Sequence, residues 1–179
     1  MADRPLLARQ TSVEACAALL EIGPLLVDAS ADLRDVVRDA ARQSSTRLIG
    51  VVDTAGRIVG VIPVTRVAES IVARVVPEAL LMDVADAATA TEFSHSMEDR
   101  VAADIMLPPA VVVRSDTLGD AFRLMHVRRL GGVYIVDPDG RPTGYLDLLE
   151  LALIYVRDLG NVPATEDPAM AERSNGPER

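Results

Sequence analysis

Asp53-Thr-Ala-Gly-Arg-Ile-Val-Gly60 and Asp137-Pro-Asp-Gly-Arg-Pro-Thr-Gly144 decide the fold, because the second stretch aligns with the first without a gap, 84 residues later. Each follows an apolar run, Leu48 to Val52 or Val133 to Val136, and each leads into another, Ile58 to Ile62 or Thr143 to Leu146. Two apolar runs joined by Asp-x-x-Gly-Arg read as a β-hairpin with a short turn whose glycine accepts positive φ. Working outward, each hairpin is preceded by an amphipathic helix. Leu33, Val36, Val37, Ala40 and Ala41 form one apolar stripe; Leu118, Ala121, Phe122 and Met125 repeat that spacing. Ser30 or Asp32 caps the first helix, and Asp116 or Thr117 the second. A short extended run comes before each helix, Pro24 to Asp28 and Ala110 to Arg114. A second helix follows each hairpin, Thr65 to Val75 and Asp147 to Val156. The unit strand, helix, strand, strand, helix therefore occurs twice, with one extra residue in the first copy between helix and hairpin.

This pattern predicts an α+β fold of two βαββα repeats with helical linkers. Residues 1–21 hold a lead-in helix (Thr11 to Leu20), 22–76 the first repeat, 77–100 a helical linker, 101–159 the second repeat and 160–179 a polar, proline-rich tail expected to be disordered. Within the linker, Pro77 to Ala90 reads as a helix with apolar Leu80, Leu81 and Val84. Ser96-Met-Glu-Asp99 reads as a capping box opening a helix to Met106.

Composition narrows the function. The 179 residues are 49% apolar, enough for a core without disulfides or metal staples, and only 3% aromatic with no Trp. A net charge of −9 opposes phosphate backbones and anionic lipid, so nucleic-acid binding and membrane-surface binding are not expected. All 18 basic residues are Arg, which removes Schiff-base chemistry and any phosphate loop ending in Gly-Lys-Ser/Thr. The longest uncharged stretch, Ile105 to Val113, is too short to span a bilayer. Asp3 and Glu14 around a short apolar run do not read as a signal peptide, and the single cysteine, Cys16, fits a reducing cytoplasm. Hydrolase, zinc-peptidase, dithiol and dinucleotide signatures are all missing from the sequence, so no enzyme and no catalytic residues are expected.

Val101-Ala-Ala-Asp-Ile-Met106, Val111-Val-Val113, Asp116-Thr-Leu-Gly-Asp-Ala-Phe-Arg-Leu-Met125, Val133-Tyr-Ile-Val-Asp-Pro-Asp-Gly140 and Gly144-Tyr-Leu-Asp-Leu-Leu-Glu150 together resemble a CBS domain. The same pattern, weaker, runs from Val13 to Ile71, so about four-fifths of the chain resembles a tandem CBS pair, or Bateman module. The resemblance implies an α+β fold of two βαββα repeats packed as a disc-like pseudo-twofold pair, commonly dimerised, that binds adenosine-containing ligands and regulates a partner enzyme, channel or transporter. It also implies where a ligand sits. The family holds ribose with an acid closing a Gly-h-h-Thr/Ser-x-x-Asp pattern, because a carboxylate accepts from both hydroxyls beside free helix N–H groups. The second repeat reads Gly144-Tyr-Leu-Asp147-Leu-Leu-Glu150, which keeps an acid in altered form; the first reads Gly60-Val-Ile-Pro63-Val-Thr-Arg66, which loses it. Nucleotide-binding members place an Arg six residues before the Asp that closes the second strand. Arg47 matches and Gly131 departs.

The resemblance thus implies one composite site, with Arg47 for phosphate and Asp147 and Glu150 for ribose. Adenine would lie along Ala110, Val111, Val112 and Val113, with Gly132 and Val133 nearby and Gly144 opening the pattern. AMP is favoured over ATP because the two acids oppose a polyphosphate. No cofactor or metal is assigned, a homodimer through the helices of each repeat is expected, and the regulated partner is unknown. Plainer readings exist for each residue. Asp147 and Glu150 suit the first turn of a helix, where acids meet the macrodipole. Arg47 suits a solvated loop, Gly131 and Gly132 a tight loop, His126 the edge of an apolar stripe and Cys16 a small core position. His95 with Glu92, Glu98 and Asp99 fits a solvated linker as well as a metal site. Two further functions remain open: a ligand-free dimeric scaffold, and a Mg²⁺-responsive module of ion transport using Asp83, Asp86, Glu92, Glu98 and Asp99.

Overall fold

The computed structural model describes residues 9–72 and 100–160, the last three by backbone alone. Its first half contains α1 (Val13–Ala17), β1 (Leu26–Asp28), α2 (Leu33–Arg42), β2 (Leu48–Val52), β3 (Ile58–Pro63) and α3 (Val64–Val72). Its second contains α4 (Ala102–Ile105), β4 (Val111–Val113), α5 (Leu118–Arg128), β5 (Gly132–Val136), β6 (Pro142–Asp147) and α6 (Leu148–Gly160). The expected linker helix, the Ser96–Asp99 capping box, His95 with its acids, residues 73–75 and the tail from 161 lie outside the described residues.

Each half is a three-stranded sheet in which the first strand runs parallel and the third antiparallel to the middle one. Gly50 pairs with Val61 and Tyr134 with Tyr145, and each hairpin carries an irregularity at the matching place, Val51/Val52 and Ile135/Val136. The turns explain the repeated signature. Asp53 accepts from the backbone of Ala55 and Arg57, both at 2.9 Å, and Asp137 from Asp139 and Arg141 at 3.0 and 2.8 Å. Gly56 and Gly140 take φ of 75° and 81°, a region that side chains with a Cβ rarely adopt. The bonds from Arg57 hold the Asp53 carboxyl below its ordinary range.

Of the alternative caps, Asp32 and Thr117 start the helices. Asp32 accepts from Arg34 N at 2.8 Å, while Thr117 and Asp120 close a capping box. Leu33, Val36 and Ala40 are buried on α2, as are Leu118, Ala121 and Met125 on α5. Phe122, read as part of that stripe, is 38% exposed instead, and Ala41 is also exposed. The buried arc of each helix is narrower than the sequence pattern, because one sheet covers one side of the helix only.

The lead-in helices cross over. Val13 and Cys16 of α1, both fully buried, belong to the core of the second half with Leu118, Met125 and Val133. Ala102 and Ile105 of α4 belong to the core of the first, with Leu33, Val36 and Ile49. The crossing is fixed by backbone hydrogen bonds. Val13 N donates to Asp116 O at 2.8 Å and Leu118 N to Thr11 O at 2.9 Å; Ala102 N donates to Ala31 O at 2.9 Å and Leu33 N to Arg100 O at 3.0 Å.

Between the halves, matching positions carry residues of opposite size. Tyr134 stands where Gly50 stands in the first copy, and the two meet. A Cβ on Gly50 would lie 2.8 Å from Tyr134 Cζ and from Leu26 Cδ2. The Tyr134 ring, fully buried, packs 5.2 Å from that of Tyr145, and its hydroxyl lies 2.7 Å from Leu25 O and 2.9 Å from Leu48 O in the other half. Among the described residues no helix is long and apolar enough to cross a membrane.

Candidate functional site

The helix-to-strand loop before β2 carries Arg47, the end of β6 carries Asp147 and the first turn of α6 carries Glu150. The pseudo-twofold packing brings all three together. Arg47 Nη1 lies 2.9 Å from Asp147 Oδ1, with the Arg47 side chain 42% exposed and that of Asp147 fully enclosed. The same Oδ1 accepts from Leu149 N at 2.9 Å and Glu150 N at 3.2 Å, which caps α6, and the Tyr145 hydroxyl donates to Oδ2 at 3.2 Å. Four donors thus surround the enclosed carboxylate, which satisfies the hydrogen-bonding demand of a buried polar group. Asp147 has no surface left with which to touch a ligand.

Glu150 reaches the opposite way. Its carboxylate accepts from Glu21 N and, at 3.2 Å, from Ile22 N in the segment before β1. Beside it lies a cavity of about 280 Å³, whose polar lining includes Arg47, Glu150 and Arg157 and whose apolar lining includes Leu19, Ile22 and Leu153. Arginines suit an anion, a carboxylate suits a vicinal diol, and the aliphatic wall suits a flat apolar ring. Arg157, Leu153 and the backbone of Glu21 and Ile22 were missed in the sequence. The helical spacing Glu150, Leu153, Arg157 is the signal that would have found the first two.

The other expected contacts lie elsewhere. Ala110 and Val133 are fully buried, Val112 nearly so, and Ala110 O accepts from Tyr134 N at 3.0 Å within the sheet. Neither these residues nor Val111 and Val113 line the Arg47 cavity. At Gly132 a Cβ would come 2.6 Å from Leu146 O and into the Tyr145 ring, so its missing side chain makes room for protein. Gly144 lines a separate hollow of about 510 Å³ with Glu14, Pro24 and Arg114.

The mirror position in the first half differs as the sequence expects. Pro63 ends β3 where Asp147 ends β6, and Val64 N donates to Arg47 O at 3.1 Å as Leu148 N donates to Gly131 O at 2.9 Å. Gly131 sits against Arg47, where a Cβ would lie 3.2 Å from Arg47 Cβ, so the glycine leaves the arginine its space.

Among the described residues no group of three His, Cys, Asp or Glu is placed to hold a metal. His126 is exposed on α5 beside Phe122. Cys16 is buried, and burial, with the nearby Glu150 charge, pushes its thiol up to about 11. Tyr145 is raised by burial, then by Asp147; Tyr134 is raised by burial. A raised pKa on an acid means that the unfolded chain releases its proton first. The stability these groups contribute is therefore fully present below about pH 9 and falls between about pH 9 and 11 as the unfolded thiol ionises, with the tyrosines adding to the loss above about pH 10. Urea unfolding at pH 8, 9.5 and 10.5 should show this decline; a midpoint that does not move would contradict the buried placement.

Comparison with known proteins places this architecture. The sequence profile described as CBS domain matches residues 11–73 and 101–156. No curated protein sequence matches the chain. A CBS domain-containing protein from Thermotoga maritima is 21% identical, with a TM-score of 0.65 over 82% of this chain and 94% of that one. The structure of CBSX2 in complex with AMP is 19% identical, TM-score 0.59, over 82% and 97%. The CBS domain pair of protein MJ0100, in complex with 5′-methylthioadenosine and S-adenosyl-L-methionine, is 14% identical, TM-score 0.59, over 83% and 98%. At these identities the likeness is one of fold.

Proposed function

The chain belongs to the CBS-domain family, and from that premise we propose that it is a non-catalytic regulatory module that takes one adenosine-containing nucleotide, AMP-like, between its two repeats and signals to a protein partner. The observation that carries this reading is the meeting of Arg47 from the first repeat with Asp147 and Glu150 from the second beside one cavity. The complexes of CBSX2 with AMP and of MJ0100 with adenosine derivatives support it by likeness of fold. In this reading Glu150 accepts the ribose hydroxyls, Arg47 and Arg157 meet the phosphate, and Asp147 positions Arg47. The cavity, about 280 Å³, sits at the small end of ligand pockets, and Glu21 and Glu150 repel added negative charge. AMP therefore binds in preference to ATP.

The module acts as a homodimer. The apolar residues Phe122, Val127, Leu148 and Tyr155 face outward on α5 and α6. On α2 the outward residues are charged and paired along the helix, Arg42 with Asp39 at 3.0 Å and Arg38 with Asp35. The second repeat's helices therefore supply most of the contact.

Calorimetric titration with AMP, ATP and adenosine tests the proposal. AMP should saturate, ATP should bind more weakly, and Glu150→Gln should weaken AMP by about tenfold or more, the scale of a hydrogen bond to a charged group. Flat traces for every ligand at millimolar concentration would leave the second reading, a ligand-free dimeric scaffold. That reading is favoured by the full enclosure of Asp147 and by Pro63 in the mirror position.

A further inference from the structure

Helix α6 has a hollow on each side. Leu149, Glu150, Leu153 and Arg157 face the nucleotide cavity, whereas Leu148, Ala152 and Tyr155 line a hollow of about 690 Å³ against α5. At 100° per residue these two stripes point roughly 150° apart. The helix is fastened at its start by Asp147, whose single Oδ1 serves both the α6 amides of Leu149 and Glu150 and the Arg47 guanidinium. Arg47 is the charged partner of that enclosed carboxylate, and its own side chain is 42% exposed and borders the cavity. A phosphate arriving there competes with Asp147 for the same cation.

We infer that Arg47 is the switch of this module: a nucleotide phosphate draws it from Asp147, the cap of α6 is left as a buried charge without its counter-ion, and the first turns of α6 loosen, which alters the apolar face that α6 presents with α5. The inference rests on the nucleotide reading given above. It makes phosphate the signal, so that adenosine occupies the cavity with its ribose on Glu150 and leaves Arg47 on Asp147.

Amide hydrogen exchange of the full chain, read at residues 148–157 with β2 as the internal reference, tests this. Arg47→Met without any nucleotide should speed exchange in α6 by about tenfold or more while β2 keeps its rate, because the charge-assisted bond to Asp147 is gone. AMP on the unaltered chain should speed exchange in the same segment, and adenosine should not. Unchanged α6 exchange in Arg47→Met overturns the switch, as does acceleration spread equally over β2. AMP that binds by calorimetry but leaves α6 exchange as it was, or slows it, overturns the switch and spares the nucleotide reading. AMP that does not bind removes both.

Discussion

Tyr134→Ala should lower folding stability by about 3–5 kcal/mol, the range for removing a large buried ring. Tyr134 is fully buried at the join of the two halves, packed on the Tyr145 ring and filling the space that Gly50 leaves. Few neighbours can collapse into the hole, because Gly50 has no side chain to offer and its strand is held on both sides by β1 and β3. Tyr134→Phe separates the ring from its hydroxyl. It keeps the packing but takes a donor from the Leu25 and Leu48 carbonyls, for a loss of about 1–3 kcal/mol. The reverse change, Gly50→Ala, forces a Cβ to 2.8 Å from the same ring and should cost about 1–3 kcal/mol by overpacking. Urea unfolding of the three variants checks the order. Equal midpoints for Tyr134→Ala and the unaltered chain would mean that the halves do not meet through this residue.

Asp147→Ala should cost about 2–4 kcal/mol, from the lost helix cap and from a buried Tyr145 hydroxyl left without its acceptor. The arginine it abandons is 42% exposed and turns to water, so little of the loss comes from that side. Asp147→Asn keeps an acceptor for the α6 amides and should cost less. Since Arg47 and Asp147 touch, Arg47→Met combined with Asp147→Ala should cost less than the two changes added together. Thermal unfolding measures all of these. An Asp147→Ala chain as stable as the unaltered one would show that the carboxylate faces solvent, contrary to its full enclosure.

Much of this was legible from the chain alone, for identifiable reasons. The hairpins could be read because Asp-x-x-Gly-Arg is a local device: the aspartate folds back on its own turn and the glycine supplies the positive φ, so no distant residue is needed. The nearness of Arg47 and Asp147 could be expected because the resemblance implies a site that draws its phosphate group from one repeat and its ribose group from the other. The crossing of α1 and α4 into the opposite halves could not be read, since Val13 and Cys16 look the same in sequence whichever sheet covers them. Nor could the fate of Ala110 to Val113. An apolar run of that kind serves a sheet as well as a ligand wall; here Ala110 and Val112 are buried, Val113 is exposed, and none of the four lines the cavity beside Arg47. Glu150 was legible as an acid at a helix start, but its hold on the Glu21 and Ile22 amides depends on the lead-in segment of the other half.

The account turns on one site built from both repeats, and a crystal structure of the chain grown with AMP tests that most directly. The account predicts a single nucleotide per chain, its phosphate within hydrogen-bond reach of Arg47 or Arg157 and a ribose hydroxyl on Glu150. A nucleotide seated instead against Pro63 and Arg66, or contacting residues of one repeat alone, would contradict it.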